Sequence, residues 1–139
     1  MSTDQQRILL VDDSKLIRRL AVTLLTPAGY EIREASGPQQ ALQLLTQEDF
    51  DLVIMDIMMP GMSGLDVARK IRSTDKLKDL PILFCTSVSD RDTVLDAANL
   101  APMDYVTKPL NRQVLLEKTK PLIEKKLQSS EEAQTEEAT

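Results

Sequence analysis

Three aspartates stand directly after two apolar segments of the sequence. Asp12 and Asp13 follow residues 7–11 (RILLV), and Asp56 follows residues 52–55 (LVIM). Runs this short and this apolar are typical of strands buried on both faces of a parallel sheet. Carboxylates that crowd together at strand ends stay ionised only if a cation lies among them. Oxygen ligands without histidine or cysteine favour a hard ion that also engages phosphate, so the three acids predict a Mg²⁺ site.

Two further apolar segments end in a hydroxyl and an amine. Thr86 follows residues 82–85 (ILFC), and Lys108 follows residues 105–107 (YVT). A lysine opposite a metal adds a second positive charge and a threonine hydroxyl adds a donor, which together suit a dianionic phosphoryl group. Asp56 stands alone before small, flexible residues, so it is the candidate to accept that group as an acyl phosphate. Asp12 and Asp13 are paired and are better placed as metal ligands.

A sheet of five strands would bring these side chains together. Strands are predicted to start near residues 7, 30, 52, 82 and 105, with one helical segment between each pair. Right-handed crossovers then give an α/β fold, a doubly wound (βα)5 parallel sheet with helices on both faces. The carboxyl ends of all five strands lie at one edge, and the first and third strands flank the point where the strand order reverses.

The helical segments are marked by apolar residues three or four positions apart. They are predicted after Ser14, from Pro38, around residues 65–71, over residues 90–100 and over about residues 111–127. In the third segment, Arg69, Lys70 and Arg72 are predicted to face solvent. Pro121 is predicted to kink or split the last segment, because proline in a helix interior costs about 3 kcal/mol.

Length and charge set the limits of the folded part. The chain has 139 residues, which suits one domain over residues 7–127, with a short tail over residues 1–6. Residues 128–139 are polar and acidic and are predicted to be a disordered tail. Four glutamates in this tail account for most of the net charge of −5. The folded part is therefore close to neutral, which argues against nucleic acid as a partner.

Composition excludes several other classes of function. The chain has no histidine, which removes histidine-based triads and imidazole metal sites. No apolar run approaches the ~20 residues that would span a membrane, and the N-terminus lacks a signal-peptide pattern. The single cysteine, Cys85, is predicted to be a core residue and fits a reducing cytoplasm.

Four motifs in order resemble the receiver domain of two-component response regulators. They are LLVDDS (9–14), LVIMDIMMPGMSGLD (52–66), CTS (85–87) and YVTKP (105–109). The resemblance covers about residues 7–127 and implies the flavodoxin-like fold with strand order 2-1-3-4-5. It also implies phosphorylation of Asp56 by a sensor histidine kinase or a histidine phosphotransfer protein, and output through a protein partner.

The resemblance also implies roles for individual residues. Asp13, Asp56 and the backbone carbonyl of Met58 resemble direct Mg²⁺ ligands, with Asp12 acting through water. Lys108 resembles the lysine that contacts the phosphoryl oxygens. Thr86 and Tyr105 resemble the switch pair, and the bond before Pro109 resembles one that is cis.

Partner binding and dimerisation in this family use the fourth helix, fifth strand and fifth helix, so these elements are the candidate surface for a downstream protein or for a homodimer on phosphorylation. The chain departs from the family at Ala101-Pro102, where Gly-Ala is usual. Proline stiffens a loop that normally moves with the switch.

The chain begins with Met and ends in a short acidic tail, which favours a stand-alone, chemotaxis-type regulator. The alternative is the N-terminal module of a larger one. Two other classes are weaker. A Mg²⁺-dependent phosphatase with an aspartyl-phosphate intermediate typically carries a second aspartate two residues after the nucleophile, where this chain has Met58. A pseudo-receiver, which binds partners without phosphorylation, would not need the complete set of acids, Thr86 and Lys108. We therefore expect a signalling domain and not a turnover enzyme.

Overall fold

A five-stranded parallel sheet forms the centre of the protein. The computed structural model describes residues 5–87 and 98–138. The strands are β1 (Arg7–Val11), β2 (Glu31–Ala35), β3 (Leu52–Asp56), β4 (Ile82–Thr86) and β5 (Met103–Thr107). They pair in the order β2-β1-β3-β4-β5, and all four pairings are parallel. The predicted doubly wound, flavodoxin-like architecture is confirmed.

Three helices follow the first three strands. They are α1 (Lys15–Leu25), α2 (Pro38–Gln47) and α3 (Gly64–Arg72). The Ser14 side chain caps α1 by accepting the Ile17 N–H, and Ser63 forms a capping box with Asp66 at the start of α3. Each cap satisfies backbone donors that the first helical turn leaves free. The caps fix where each helix leaves the carboxyl edge of the sheet.

Alternate residues of each central strand pack on opposite faces of the sheet. In β1, Leu9 and Val11 join a core with α2 and α3, while Ile8 and Leu10 join a core with α1 and the C-terminal helix. Burial of one such side chain contributes about 1.5–3 kcal/mol. Both faces of β1, β3 and β4 are therefore covered, which explains why these strands read as unbroken apolar runs.

The C-terminal helix differs from its prediction at two points. It runs as one element over Arg112–Ala138, through Pro121 and through the segment predicted to be a disordered tail. Pro121 has no N–H to donate to the carbonyl of Glu117, four residues earlier in the helix. Both residues are exposed, so water can donate to that carbonyl instead. The segment beyond residue 127 is rich in glutamate, glutamine and alanine, which are good helix formers.

β5 and the segment before it also differ from expectation. β5 begins at Met103, two residues earlier than predicted, because Met103 pairs with Ile82 of β4. The predicted helix over residues 90–100 lies outside the described residues except at its end, where Ala98–Leu100 form a 3-10 turn. The peptide bonds before Pro102 and Pro109 are both cis, and the second is the one that the resemblance singled out. Within the described ranges, no helix is long and apolar enough to cross a membrane.

Arg72, predicted to face solvent, is instead half-buried at the end of α3. Its guanidinium donates to the carbonyls of Leu80, Leu100 and Pro102 at 2.6–2.7 Å. Burial lowers the pKa of Arg72 from its ordinary value, and the charge of Asp79 opposes that shift. Arg72 therefore joins α3 to the segments that enter β4 and β5.

Candidate acidic site at the carboxyl edge of the sheet

Three carboxylates converge where β1 and β3 end. Asp12 and Asp13 follow β1, and Asp56 is the last residue of the neighbouring β3. Each residue offers one carboxylate oxygen such that all three oxygens lie within 4.8 Å of one another. Asp12 is 2% exposed and Asp56 is 7% exposed, whereas Asp13 faces solvent. The arrangement is a buried pair of acids with a third acid at its opening.

Lys108 lies between the two buried acids. Its Nζ is 3.1 Å from Asp12 Oδ2 and 3.3 Å from Asp56 Oδ2. The other oxygen of each carboxylate accepts a backbone N–H, from Ser14 at 2.9 Å for Asp12 and from Met58 at 3.2 Å for Asp56. Both buried carboxylates are therefore held at both oxygens.

Burial and neighbouring charges shift the pKa values of Asp56 and Lys108. Burial raises the pKa of Asp56 above its ordinary value, the charge of Lys108 opposes this, and the charge of Asp12 adds to it. Burial alone would lower the pKa of Lys108, but its hydrogen bond and ion pair with Asp12, together with Asp56, raise it. Lys108 therefore stays protonated at neutral pH, and the site as a whole carries excess negative charge.

The donor set fits a hard divalent cation. Asp12, Asp13 and Asp56 offer only carboxylate oxygens, and one lysine cannot balance three negative charges. Mg²⁺ prefers oxygen ligands and retains several waters, which the exposed side at Asp13 can accommodate. These three residues are the ones that would hold the ion, and the bound ion would supply positive charge next to Asp56.

Thr86 ends β4, the strand beside Asp56, whereas Tyr105 lies one strand further away, on β5. Thr86 is fully buried at the end of β4, and its hydroxyl donates to the carbonyl of Ser87 at 3.1 Å. The Lys108 N–H donates to the Thr86 carbonyl at 2.8 Å, which fixes the start of the Lys108 segment against β4. Tyr105 is half-exposed on β5, and its side chain packs against the core that α2 and α3 cover.

Gly64, which the sequence places among the small, flexible residues after Asp56, lies against the backbone of Asp56. A Cβ added to Gly64 would lie 2.2 Å from the carbonyl oxygen of Asp56. The Gly64 N–H also donates to the carbonyl of Ile57 at 2.8 Å. The start of α3 thus packs on the backbone of β3 where that strand ends, and only a residue without a side chain fits there.

Because the pKa of Asp56 is raised, replacing this residue is predicted to change the stability of the fold. Without metal, the folded protein binds a proton on Asp56 more tightly than the unfolded chain does. Stability is therefore lost as pH rises from the ordinary aspartate pKa of about 4 through the folded value. We expect Asp56→Asn to be more stable than the wild type at pH 7 in EDTA, with a difference that shrinks toward pH 4.

Urea unfolding followed by circular dichroism at both pH values measures this difference. Addition of Mg²⁺ should stabilise the wild type more than the variant, because the variant has lost one anionic ligand. Equal stability of the two proteins at pH 7 in EDTA would show that ionised Asp56 does not destabilise the metal-free fold.

Comparison with known proteins identifies relatives of the whole folded part. Residues 8–120 match the family model described as "Response regulator receiver domain". Chemotaxis protein CheY of Pseudomonas aeruginosa is 38% identical over 120 residues, which cover 86% of this chain and 97% of that protein. The phosphate regulon transcriptional regulatory protein PhoB of the same organism is 34% identical over 84% of this chain, but over only 51% of its own length.

Solved structures agree with the sequence relatives. The response regulator protein TrrA of Thermotoga maritima, solved in complex with Mg(2+)-BeF, has a TM-score of 0.75 and 41% identity, and the match covers 85% of this chain and 99% of that one. A signal receiver domain of an HD domain-containing protein from Pseudomonas fluorescens has a TM-score of 0.84 and 29% identity, with 94% and 96% coverage.

Proposed function

This chain belongs to the response regulator receiver domain family, and on that premise we propose that Asp56 accepts a phosphoryl group in the presence of Mg²⁺. The donor is a phosphohistidine on a sensor histidine kinase or on a histidine phosphotransfer protein. Phosphorylation then changes the surface of the domain and controls a partner protein. The domain acts as a signalling switch in the cytoplasm, where histidine kinases use ATP, and it does not turn over an outside substrate.

The position of Lys108 is the observation that carries this proposal. Its ammonium lies 3.1 Å and 3.3 Å from the carboxylates of Asp12 and Asp56, beside a cluster of acids that suits Mg²⁺. A phosphoryl group on Asp56 needs positive charge on more than one side, since its oxygens carry the charge of the transition state. Lys108 supplies one side, and an ion held by Asp12, Asp13, Asp56 and the Met58 carbonyl would supply the other.

The proposed transfer is an in-line displacement at phosphorus. One carboxylate oxygen of Asp56 forms a bond to phosphorus while the phosphorus–nitrogen bond to the donor imidazole breaks. The electron pair of that bond stays on the imidazole nitrogen, which then takes up a proton. The Met58 N–H, 3.2 Å from Asp56 Oδ1, and Lys108 hold the acceptor carboxylate in place during the approach. Hydrolysis of the acyl phosphate later restores Asp56.

Thr86 and Tyr105 are proposed to carry the signal away from Asp56. The Thr86 hydroxyl is buried and bonded to the Ser87 carbonyl, so it needs only to exchange that acceptor for a phosphoryl oxygen. Tyr105 lies on β5 and is half-exposed, so its ring has room to change position when Thr86 moves.

The proposed output surface comprises the fourth helix predicted over residues 90–100, which lies outside the described residues except at its end, together with β5 and the C-terminal helix. It would bind the downstream protein or a second copy of the chain. On β5, Asp104 forms an ion pair of 3.1 Å with Lys118 of the C-terminal helix, which keeps these two elements of the surface together.

The close match to CheY over 97% of that protein supports a stand-alone regulator. The match to half of PhoB supports the alternative, in which the receiver is one module of a larger protein. An immunoblot of the native protein distinguishes these forms by mass.

Incubation with acetyl phosphate and Mg²⁺, followed by intact mass spectrometry, tests the proposed function. The wild type should gain one phosphoryl group, and Asp56→Asn should gain none, because its amide cannot form the acyl phosphate. EDTA should abolish the gain in the wild type. No gain in either protein would favour a pseudo-receiver, and sustained turnover of a phosphomonoester would favour the phosphatase class.

A further inference from the structure

Arg18 of α1 contacts the backbone of the metal site from outside the recognised motifs. Its Nη1 donates to the carbonyl of Asp12 at 2.7 Å, and its Nε donates to Glu34 Oε1 of β2 at 3.2 Å. The Arg18 side chain is 14% exposed, so most of it is buried between α1 and β2. We propose that Arg18 is a positioning residue for the metal site, which fixes Asp12 in the orientation that binds Mg²⁺. This inference rests on the proposed function and deepens it.

Asp12 is held at each of its polar groups. Its N–H donates to the Ala35 carbonyl at 3.2 Å, its Oδ1 accepts the Ser14 N–H, and its Oδ2 accepts Lys108. The Asp12 carbonyl is the remaining group, and Arg18 is its partner. Arg18 is therefore the side chain that holds the main chain of Asp12, whereas Lys108 holds only its carboxylate.

Glu34 fixes the plane of the Arg18 guanidinium. The guanidinium presents several N–H donors in a rigid fork, so Nε can bond to Glu34 while Nη1 bonds to the Asp12 carbonyl. The Glu34 side chain is 44% exposed, and an ion pair of that exposure adds little stability. The ion pair instead orients the Arg18 side chain, which connects Glu34 of β2 to Asp12 at the end of β1.

Mg²⁺ binding is sensitive to this kind of support. The ion demands near-ideal octahedral geometry at short distances. Residues that orient the ligands of a metal site typically change metal affinity by about 10–100-fold when they are replaced. A shift of the Asp12 main chain would move its carboxylate away from Asp13 and Asp56, whose oxygens now lie within 4.8 Å.

The direction in which Mg²⁺ affinity changes when Arg18 is replaced distinguishes a positioning role from a purely electrostatic one. Arg18 is a cation near the site, so removing its charge should by itself strengthen Mg²⁺ binding. Loss of positioning should weaken it. Arg19, the next residue, is exposed and forms no ion pair among the residues that the structure describes, so Arg19→Gln removes the same charge without touching Asp12.

Calorimetric titration of the full chain with Mg²⁺ measures this difference. We expect Arg18→Gln to raise the Kd for Mg²⁺ by about tenfold, Arg19→Gln to leave it unchanged or slightly lower, and Arg18→Lys to give an intermediate value. With acetyl phosphate, Arg18→Gln should need more Mg²⁺ for half-maximal rate, while the rate at saturating Mg²⁺ stays near that of the wild type. A Kd for Arg18→Gln equal to or below that of Arg19→Gln would overturn the proposal.

A second variant guards against a loss of folding. If Arg18→Gln unfolds, Glu34→Gln retains Arg18 but removes the carboxylate that orients it, and it should weaken Mg²⁺ binding by a smaller factor. An unchanged Kd in a folded Glu34→Gln would then count against the proposal. Failure of the wild type to gain a phosphoryl group would contradict the proposed function alone, since Mg²⁺ binding is measured without phosphorylation.

Discussion

Replacement of Lys108 by methionine should slow phosphorylation of Asp56 by at least about 100-fold. Removal of one preorganised donor to developing charge typically costs a factor of 10²–10³, and Lys108 is the cation that touches both buried carboxylates. Methionine keeps most of the volume of the side chain, so the loss reflects charge and not packing. Intact mass measured over time with acetyl phosphate and saturating Mg²⁺ gives the rate.

The same replacement should destabilise the metal-free protein. Asp12 and Asp56 would remain buried without their counter-charge, and removal of one partner from a buried ion pair typically costs about 3–5 kcal/mol. Mg²⁺ should recover much of this loss by taking the place of the ammonium. Urea unfolding in EDTA and in excess Mg²⁺ measures both effects.

Lys118→Met is the matched control for Lys108→Met. Lys118 forms its ion pair with Asp104 at a partly exposed position, so its loss should cost less than about 1 kcal/mol. It should also leave the rate of phosphorylation near that of the wild type. Equal loss of rate in the two variants would mean that net charge, and not the location of Lys108, sets the reactivity of Asp56.

Replacement of Gly64 by alanine should impair both stability and phosphorylation. The added Cβ would lie 2.2 Å from the Asp56 carbonyl oxygen, and the neighbouring atoms are backbone that cannot rotate away. Overpacking of this kind typically costs about 1–3 kcal/mol, and we expect the upper end. Because the strain is relieved only by moving β3 or α3, the Asp56 carboxylate should leave its place beside Lys108.

Gly37→Ala provides the comparison for Gly64→Ala. A Cβ at Gly37 would meet nothing within 4 Å, and its φ of −173° is extended backbone that any residue adopts. Its loss of stability should stay below about 1 kcal/mol, the scale of a changed N-cap. If Gly64→Ala unfolds at the same urea concentration as Gly37→Ala and is phosphorylated at the wild-type rate, the close packing of α3 on Asp56 is not required.

The acids and Lys108 could be predicted from sequence because the fold itself brings them together. A carboxylate directly after an apolar strand can lie at only one edge of a parallel sheet, so the type and position of Asp12, Asp56 and Lys108 carry the information. The strand order followed from the family motifs, and the structure confirms it.

The contacts that Gly64, Arg18 and Arg72 make were not predicted, and the kind of atom that each residue contacts explains why. Each acts on a main-chain carbonyl or beside one: Gly64 on Asp56, Arg18 on Asp12, and Arg72 on Leu80, Leu100 and Pro102. Every residue has a carbonyl, so the acceptor leaves no mark in the sequence. From sequence alone, an arginine on a helix is therefore predicted to face solvent. Only the structure shows which carbonyls lie next to it.

The start of β5 and the course of the C-terminal helix were missed for other reasons. Residues 103–105 are only partly buried at the sheet edge, so they lack the apolar run that marks the central strands. Pro121 normally ends a helix, but its position on an exposed face lets the helix continue.

The single cysteine gives the protein a built-in reporter of how often its sheet opens. Cys85 is buried on β4, pairs in register with Asp56 of β3, and precedes Thr86. Burial raises the pKa of its thiol to about 12, against the opposing charge of Lys108. The folded thiol is thus inert to alkylating reagents, and labelling proceeds only through opening of the neighbouring strands. The labelling rate with and without acetyl phosphate would report, without any engineered residue, whether phosphorylation makes the centre of the sheet open less or more often.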